Sequence, residues 1–268
     1  MRKNKKAPTC YTGCRIIEHY LVIQHGGEHM HLDPNEVKKI YEDMVCIWPE
    51  TDQWHTYTYK YMCSYLKKEI PQFGIQGTTK ILNAGSAGNT YDIGGEHHHV
   101  DICYSKISHL EHALEASIEA LPYAKDSFDG CICMGSVINY CDAAQALFEL
   151  SRVIRPGGFL VFDFEQSGSL QFIGSEAFDK NAIIVDTFNS GQKDRLWVYS
   201  LQYILSILES AGFIVQKREC FHIFSSFMIK LLRNENKAAI FGKYDVIAKR
   251  IPFVRKRSCN VILTCRKL

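Results

Sequence analysis

The sequence predicts an α/β protein with a mostly parallel sheet that helices cover on both faces. Almost uninterrupted apolar runs at 80–84, 99–102, 128–134 and 159–164 have the length and composition of buried parallel strands. A helical period over 143–154 separates the last two runs and gives the strand–helix alternation that such a sheet requires. A glycine turn follows the first run and an aspartate closes the second, at the sheet edge where α/β proteins bind ligands.

Size and composition are those of a globular protein. The chain has 268 residues, 46% hydrophobic and 22% charged, which fits one large domain or one domain with a cap and argues against disorder. No uncharged apolar run approaches the roughly 18 residues of a membrane helix, and no apolar stretch follows the basic start at 1–6 as in a secretory signal. The 11 cysteines are an odd number and several lie in apolar strands, which favours free thiols in a reducing, cytoplasmic compartment.

Residues 1–75 are predicted to form an N-terminal helical lid or substrate segment, apart from a loose strand-like alternation at 15–24. Asp33 and Pro34 are typical of a helix start, with an N-cap residue and a proline in the first turn. A second helix is predicted from Pro49 onwards, because aromatic residues then recur three and four apart. Helices placed before the sheet would be able to close over a bound ligand.

Residues 76–268 are predicted to form the core. A helix is expected over 200–209, a strand at 213–215 and a last strand at 260–264. The segment at about 225–257 is basic and stands between the last two strands, so we expect an inserted cap over one edge of the sheet.

The net charge of +2 conceals an asymmetry along the chain. Residues 217–268 contain 13 Lys and Arg against 3 Asp and Glu, a local balance of +10 that leaves −8 for the rest. A basic stretch of this kind attracts an anionic small molecule, nucleic acid or a membrane surface. A solvated helix face explains the same pattern, and the sequence leaves these alternatives open.

The first chemical signal is the turn at 81–89, I-L-N-A-G-S-A-G-N. Its two glycines let a ligand approach bare backbone, although the spacing is neither that of G-x-G-x-x-G nor that of a phosphate-binding loop. The second signal is Asp101 at the end of the next strand, where a carboxylate can accept both hydroxyls of a ribose. An ordinary glycine turn and an ordinary strand-end aspartate remain the alternatives.

The third signal is a series of motifs at 119–123 (E-A-L-P-Y), 126–130 (D-S-F-D-G) and 149–158 (E-L-S-R-V-I-R-P-G-G). In this order the motifs resemble the class I S-adenosylmethionine-dependent methyltransferases, above all the branch that reads E-A-L-P-F, S-F-D and R-V-L-K-P-G-G. The resemblance covers about 78–164, a third of the chain. It implies a Rossmann-like sheet, mostly parallel and seven-stranded with an antiparallel last strand. It also implies S-adenosylmethionine as cofactor and S-adenosylhomocysteine as product.

The resemblance assigns the cofactor to three parts of the sheet edge. The glycine turn would hold the amino-acid end, the end of the second strand the ribose, and two later segments the adenine and the sulfonium. The residues implied are Asn83, Ala84, Gly85, Ser86, Gly88, Asp101, Ile102, Ser117, Ile118, Met134, Gly135 and Ser136.

Three features depart from the family pattern. Asn83 stands where the glycine motif usually begins with an acid, and Ser117 replaces an acid that often contacts the adenine. The interval between Asn83 and Asp101 is also short for a full helix. A methyltransferase-like partner subunit without catalytic activity is therefore an alternative to an enzyme.

The leading hypothesis is methyl transfer to an oxygen, carboxylate or hydroxyl, of a small-molecule or peptide acceptor, which the basic segment suggests is anionic. Transfer to nitrogen and transfer to nucleic acid are the alternatives, although no nucleic-acid-binding module accompanies the basic stretch. A hydroxyl acceptor benefits from a general base, whereas a carboxylate is already ionised. His25, His29 and Tyr140 are the candidate bases.

No metal site is predicted. Cys10 and Cys14 precede several histidines, but the spacing is wider than that of paired zinc ligands. The three consecutive histidines at 97–99 begin a strand, where at most alternate side chains point to one face.

Overall fold

The computed structural model describes residues 32–44, 46–189 and 192–268. These residues belong to one compact unit that begins at Leu32. The strand-like alternation at 15–24 and the Cys- and His-rich first segment lie outside the described residues.

Seven strands form one sheet, and two further strands form a separate hairpin. The strands are β1 (Lys80–Ala84), β2 (Glu96–Asp101), β3 (Ala113–Glu115), β4 (Phe128–Cys133), β5 (Ile154–Glu165), β6 (Ala182–Asn189), β7 (Gln192–Tyr199), β8 (Phe213–Phe221) and β9 (Asn260–Lys267). The sheet order is β3-β2-β1-β4-β5-β9-β8, and the hairpin pairs β6 with β7. Strand β9 is antiparallel to both of its neighbours, while the other pairs of the sheet are parallel. The predicted fold class, with its antiparallel last strand, is confirmed.

The helices lie on both faces of the sheet and in the segment between β8 and β9. They are α1 (Pro34–Asp43), α2 (Gln53–Glu69), α3 (Tyr104–Ile107), α4 (Ala143–Val153), α5 (Leu201–Ser210), α6 (Phe224–Leu232), α7 (Glu235–Ala239), α8 (Asp245–Ala248) and α9 (Pro252–Arg255). The basic segment at 225–257 is thus almost wholly helical. We call 224–257 the helical cap.

Aspartate N-caps start the three main helices near the site. Asp33 accepts a hydrogen bond from the Asn35 amide at 2.9 Å, as its position before Pro34 predicts. Asp142 caps α4 in the same way. Asp52 caps α2, three residues beyond the start that Pro49 suggests.

Two apolar layers enclose the sheet. On one face α4 and α5 pack against the strands, with Leu147 and Leu150 fully buried. On the other face α2 buries Met62 and Leu66 against the strands. The second predicted helix is therefore a structural layer, and only its N-terminal end reaches the cavity described below.

The motifs at 119–123 and 149–158 are tied together by one arginine. Arg152 on α4 donates to the backbone oxygens of Tyr123 (2.7 Å) and Leu121 (2.9 Å). Glu149, one turn earlier, accepts from the Leu121 amide at 2.9 Å and pairs with Arg152. The E-x-x-R spacing therefore fixes the loop that leads from β3 to β4.

The hairpin of β6 and β7 is the part of the fold that the sequence reading did not predict. Asn139, fully buried, holds the hairpin to the sheet, because its side-chain amide donates to the backbone oxygens of Glu165 (2.9 Å) and Trp197 (2.6 Å). The Tyr199 hydroxyl also donates to the Cys141 oxygen at 2.6 Å. The hairpin consequently stands beside the carboxyl end of β5.

The cysteines of the described residues are all free, nine in number. Burial raises the pKa of the thiols of Cys131 and Cys133, which keeps both protonated and unreactive. Within the described ranges, no helix combines the length and the apolar character needed to cross a bilayer.

Gly130 gives a test of the packing at the centre of the sheet. A Cβ atom at this position would lie 2.2 Å from the ring of Phe159, which is 2% exposed and stacked on Phe73. We expect Gly130→Ala to lower the free energy of unfolding by about 1–3 kcal/mol, because the buried ring cannot move freely. Urea denaturation measures this change.

Gly77→Ala is the matched control. No atom lies within 4 Å of a Cβ atom at Gly77, so the change in unfolding free energy should stay within about 0.5 kcal/mol. Equal unfolding midpoints for the two variants would show that Gly130 is not a packing constraint.

Candidate cofactor and acceptor site

The candidate site lies at the carboxyl ends of β1, β2, β4 and β5. The chain order of the strands reverses between β1 and β4, because β2 and β3 lie to one side of β1 and β5 lies beyond β4. Connections leave such a position toward opposite faces and open a crevice there.

The glycine turn after β1 has a backbone that needs glycine. Gly85 and Gly88 have φ angles of +66° and +83°, in the left-handed region. A Cβ atom at Gly85 would lie 2.5 Å from the side chain of Val137, and one at Gly88 would lie 2.6 Å from the Lys106 oxygen. The turn is therefore specified both by its φ angles and by close packing.

Asp101 is fixed in place by the backbone around it. Its Oδ2 accepts from the Ala87 amide and its Oδ1 from the Cys103 amide, each at 2.8 Å. The residue is 7% exposed, and burial raises the pKa of its carboxyl group despite these two hydrogen bonds. Each oxygen keeps a further lone pair for a ligand on the cavity side.

A second turn, after β4, rests on a carboxylate that the sequence reading missed. Gly135 and Ser136 have φ angles of +98° and +58°, and their amides donate to Asp163 Oδ1 at 2.6 and 3.1 Å. Asp163 is fully buried within β5, and burial raises the pKa of its carboxyl group. Because Asp163 lies within the apolar run at 159–164, the sequence alone does not show that it holds this turn.

One cavity gathers most of the residues predicted for the cofactor. Those that line it are Gly85, Asp101, Ile102, Ser117, Ile118, Met134, Gly135 and Ser136. The others lie in or beside the glycine turn without lining the cavity: Asn83, Ala84, Ser86 and Gly88. Lining residues that the sequence reading missed include Trp48, His55, Glu119 and Glu165.

Although Ser117 replaces an acid, the carboxylate of Glu119 lies close to it in the sequence. Glu119 lines the same cavity and receives a hydrogen bond from the Asp142 amide at 2.6 Å. Its own amide donates to Ser117 Oγ at 3.1 Å. Glu119 therefore places a carboxylate in the cavity wall two residues after Ser117.

Four buried polar atoms at this cavity or in the glycine turn beside it have no hydrogen-bond partner among the described residues, and of their residues Trp48 and Asn260 line the cavity. They are Trp48 Nε1, Asn83 Oδ1, Ser86 Oγ and Asn260 Oδ1. Leaving such atoms unsatisfied costs free energy, so their grouping indicates a polar ligand. The donors and acceptors fit a ligand with an ammonium, a carboxylate and hydroxyl groups, which S-adenosylmethionine provides.

A second cavity adjoins the first. The two share Trp54, His55, Tyr140 and Glu165, and the second adds the carboxylates of Asp186, Asp194 and Glu235. No Lys or Arg side chain of the described ranges lines either cavity. The two cavities therefore share a wall.

His55 forms an oriented pair with Asp52 at the junction of the cavities. Its Nδ1 lies 2.8 Å from Asp52 Oδ2, while Asp52 Oδ1 caps the helix through the amides of Trp54 and His55. Burial lowers the pKa of His55, but the hydrogen bond and charge of Asp52 outweigh it, so the pKa is raised above its usual value. With Nδ1–H bound to Asp52, Nε2 is the nitrogen that can accept a proton.

Two glutamates face His55 from other elements. Glu165 ends β5, and burial raises the pKa of its carboxyl group to about 7, with the charge of Glu235 as a second cause. Glu235 begins α7, and burial raises the pKa of its carboxyl group as well. The second cavity is therefore acidic in character and holds one basic side chain, His55.

The remaining candidate bases are placed as follows. Tyr140 lines both cavities, and its hydroxyl donates to Asp194 Oδ2 at 2.6 Å. Burial raises the pKa of Tyr140 well above its usual value, so its phenol stays protonated and is a poor base. His25 and His29 lie outside the described residues.

A possible metal-ligand group occurs away from the cavities. Ligand atoms of Glu96, His98 and His112 lie within 4.8 Å of one another. Glu96 and His98 are hydrogen-bonded at 2.8 Å, and the ring of His112 stacks on that of His98. These contacts account for the grouping without an ion.

The strand order and the two turns define the fold of class I S-adenosylmethionine-dependent methyltransferases. Residues 77–162 match the model of the methyltransferase domain family. The match covers about a third of the chain and supports the resemblance drawn from the motifs over that region.

A curated relative is similar over a short region. It is malonyl-[acyl-carrier protein] O-methyltransferase of Pseudescherichia vulneris, 44% identical over 61 residues. The match spans 22% of this chain and only 24% of the relative's length.

Solved structures share the fold over most of the chain. Geranyl diphosphate C-methyltransferase of Streptomyces coelicolor A3(2), in complex with S-adenosylhomocysteine, has a TM-score of 0.56 at 10% identity, covering 89% of this chain and all of its own. The [4+2]-cyclase SpnF has a TM-score of 0.50 at 18% identity, covering 77% of this chain and 80% of its own. The fold thus occurs in proteins of different activities, and chemistry has to be argued from the site.

The pKa of His55 gives a direct test of the pair with Asp52. We expect an NMR titration to place the His55 pKa above that of a free histidine and Asp52→Asn to lower it, because the charge is removed. The protonated pair should stabilise the fold fully below the unfolded pKa of about 6.5, and this contribution is lost as pH rises through the folded pKa.

Asn is also a good N-cap residue, so Asp52→Asn should preserve the start of α2. His99 is an internal control, since burial and the charges of neighbouring histidines, not the pair of Asp52 and His55, lower its pKa to about 4. A His55 pKa that is the same in the variant would contradict the proposed pairing.

Proposed function

We propose that the protein is an S-adenosylmethionine-dependent methyltransferase that methylates a hydroxyl oxygen or an amine nitrogen of a small molecule. The observation that carries this proposal is the junction at His55. There a cavity lined by the glycine turn, Asp101 and the 135–136 turn meets a second cavity with a base in its wall.

The cofactor supplies a methylsulfonium group, a strong electrophile that needs alignment more than activation. We assign the ribose hydroxyls to Asp101 and the adenine edge to Ser117 and Ile118. Asn83 stands at the position of the usual acid, and its Oδ1 has no hydrogen-bond partner among the described residues, but the side chain is buried in the turn beside the cavity. The 135–136 turn, held by Asp163, would border the reacting centre.

His55 acts in this proposal as the general base. Its Nε2 would accept the proton that the acceptor hydroxyl or amine loses on methylation, while the bond between sulfur and the methyl group breaks and S-adenosylhomocysteine leaves as a neutral thioether. Asp52 holds the ring in the required tautomer and stabilises the imidazolium that results. Trp54 and Tyr140 close the walls around this group and exclude water.

The charges of the walls select the acceptor class. The carboxyl groups of Glu165 and Glu235 favour an acceptor with hydrogen-bond donors or a positive charge and oppose a carboxylate, whereas Asp186 is exposed and paired with Arg195 at 3.1 Å. The Lys and Arg residues of the helical cap line neither cavity, so the cap gives no support to the anionic acceptor or to nucleic acid. The name of the curated relative supports oxygen as the methylated atom, but its malonyl group ends in a carboxylate, so it does not support a hydroxyl or an amine over a carboxylate.

The site also speaks against a subunit that has lost catalytic activity. The substitutions at Asn83 and Ser117 suggest that alternative, but the turns, Asp101 and the His55 pair are all in place. Arg152 holds the E-A-L-P-Y loop, which supports the branch proposed from the motifs. The free cysteines support a cytoplasmic location.

Asp101→Ala tests cofactor binding. We expect calorimetry to detect S-adenosylmethionine and S-adenosylhomocysteine binding to the wild type and about 10–100-fold weaker binding to the variant, since charge-assisted hydrogen bonds are lost. Asp92→Ala is the control, because the side chain of Asp92 is 90% exposed and lies outside the cavity. No binding to the wild type would contradict the cofactor assignment, once circular dichroism shows that all proteins are folded.

His55→Gln tests the base. We expect turnover of phenols or amines to fall about 10²–10⁴-fold while calorimetry shows unchanged cofactor affinity. Asp52→Asn should move the acidic limb of the pH–rate profile to lower pH, because the pKa of His55 falls. Carboxylic acids, tested in parallel, should be poor acceptors.

His98→Gln is the control for a histidine outside the cavities, and its activity should equal that of the wild type. Full activity in His55→Gln would remove the base from the proposal without affecting the cofactor site. Efficient methylation of carboxylic acids alone would overturn the acceptor class.

A further inference from the structure

The helical cap carries most of the exposed apolar side chains of the described chain. Ten of the 16 large hydrophobic residues that are exposed belong to these 34 residues. They are Phe224, Phe227, Leu231, Leu232, Ile240, Tyr244, Val246, Ile247, Ile251 and Phe253. Several are exposed by more than half, including Phe253 at 70% and Leu231 at 67%. Such a concentration marks a surface that binds something.

The same surface is positively charged. The cap contains nine Lys and Arg and only two acids. Asp245 is 2% exposed and accepts from the amides of Ile223 and Phe224, while Glu235 lines the second cavity. Both acids therefore face the interior of the protein. The outer surface of the cap presents Lys, Arg and apolar side chains.

Several cap cations are available to a partner. Lys249 pairs with Glu219, and Arg257 pairs with Asp179 at 2.6 Å. Lys243, Arg250 and Lys256 are exposed and form no ion pair within the described ranges. They stand within a few residues of Ile247, Ile251 and Phe253.

The apolar residues of the cap are linked in space as well as in sequence. Phe224 of α6 lies 6.0 Å from Phe241 and 6.1 Å from Tyr244, measured between ring centroids. Phe241 and Tyr244 are 6.2 Å apart and belong to the turn that leads into α8. Helix α6 and the start of α8 thus form neighbouring parts of one surface.

We propose that the helical cap docks on the surface of a membrane that contains anionic lipids. Apolar side chains surrounded by Lys and Arg are what an interfacial protein inserts among lipid headgroups, and anionic lipids attract the cations. The protein lies on the bilayer in this arrangement and does not span it.

The charge distinguishes this partner from two others. A second copy of the chain would bring two strongly positive surfaces together, and their repulsion opposes a symmetric dimer through the cap. A nucleic acid would satisfy the cations but would leave aliphatic side chains such as Leu231 and Ile247 without an apolar partner.

The test is co-sedimentation of the full chain with extruded vesicles. We expect binding to vesicles of phosphatidylcholine mixed with phosphatidylglycerol, much weaker binding to phosphatidylcholine alone, and a decrease as salt is raised. The triple variant Lys243→Gln, Arg250→Gln and Lys256→Gln should bind about a hundredfold more weakly, at about fivefold for each charge. Lys68→Gln, Lys80→Gln and Lys125→Gln together form the control, because these exposed lysines lie outside the cap.

A second variant tests the apolar contribution. Leu231→Ser, Ile247→Ser and Phe253→Ser should together weaken vesicle binding at least about tenfold, since apolar surface no longer enters the lipid. Ile214→Ser is the control, an exposed apolar side chain on β8. Cofactor affinity, measured by calorimetry, should be unchanged in every variant and shows that the fold is intact.

Three results would overturn the proposal. The first is absence of binding to the anionic vesicles. The second is equal binding by the triple charge variant and its lysine control. The third is a wild-type dimer in light scattering that the apolar variant converts to a monomer, without vesicle binding, which would assign the cap to self-association.

Discussion

The pairing of β1 with β4 at the centre of the sheet is the constraint on which the site depends. These strands run in parallel, with Asn83 opposite Ile132, so both end at the same edge. Each is followed by a turn with left-handed residues, at Gly85 and at Gly135. Because the chain continues to β2 from one strand and to β5 from the other, these turns diverge and leave a crevice between them. The cavity follows from the strand order.

Sequence patterns predicted the parts of the structure whose residues have a single structural role. Apolar runs gave the central strands, and the glycines at 85 and 88 indicated a turn with unusual backbone angles. Several residues that have both a structural role and a role in the candidate site were missed. Asp52 and His55 have the spacing of an ordinary helix start, and Asp163 lies within an apolar strand. Their chemistry depends on neighbours distant in the chain, which periodicity does not report.

The net charge of a sequence segment likewise does not predict the charge of a cavity. The excess of Lys and Arg in the last part of the chain suggested an anionic acceptor, yet the second cavity, where we propose that the acceptor binds, is lined by Glu165 and Glu235. Glu235 itself belongs to the basic cap and contributes to the opposite charge inside. Net charge along a segment thus describes what its outer surface attracts. The residues that line a cavity determine what the cavity binds.

The first turn of α2 links the two proposals without making one depend on the other. Asp52 orients His55, and the next amide, that of Gln53, donates to Asn236 Oδ1 of the helical cap at 2.6 Å. One turn later the Tyr57 hydroxyl donates to the Gly242 oxygen, also in the cap, at 3.2 Å. The cap therefore holds the first turns of α2, which carry His55, through these two hydrogen bonds. The exposed apolar side chains of the cap take no part in them. Removing those exposed side chains leaves both hydrogen bonds in place, so loss of membrane binding and loss of catalysis can be separated.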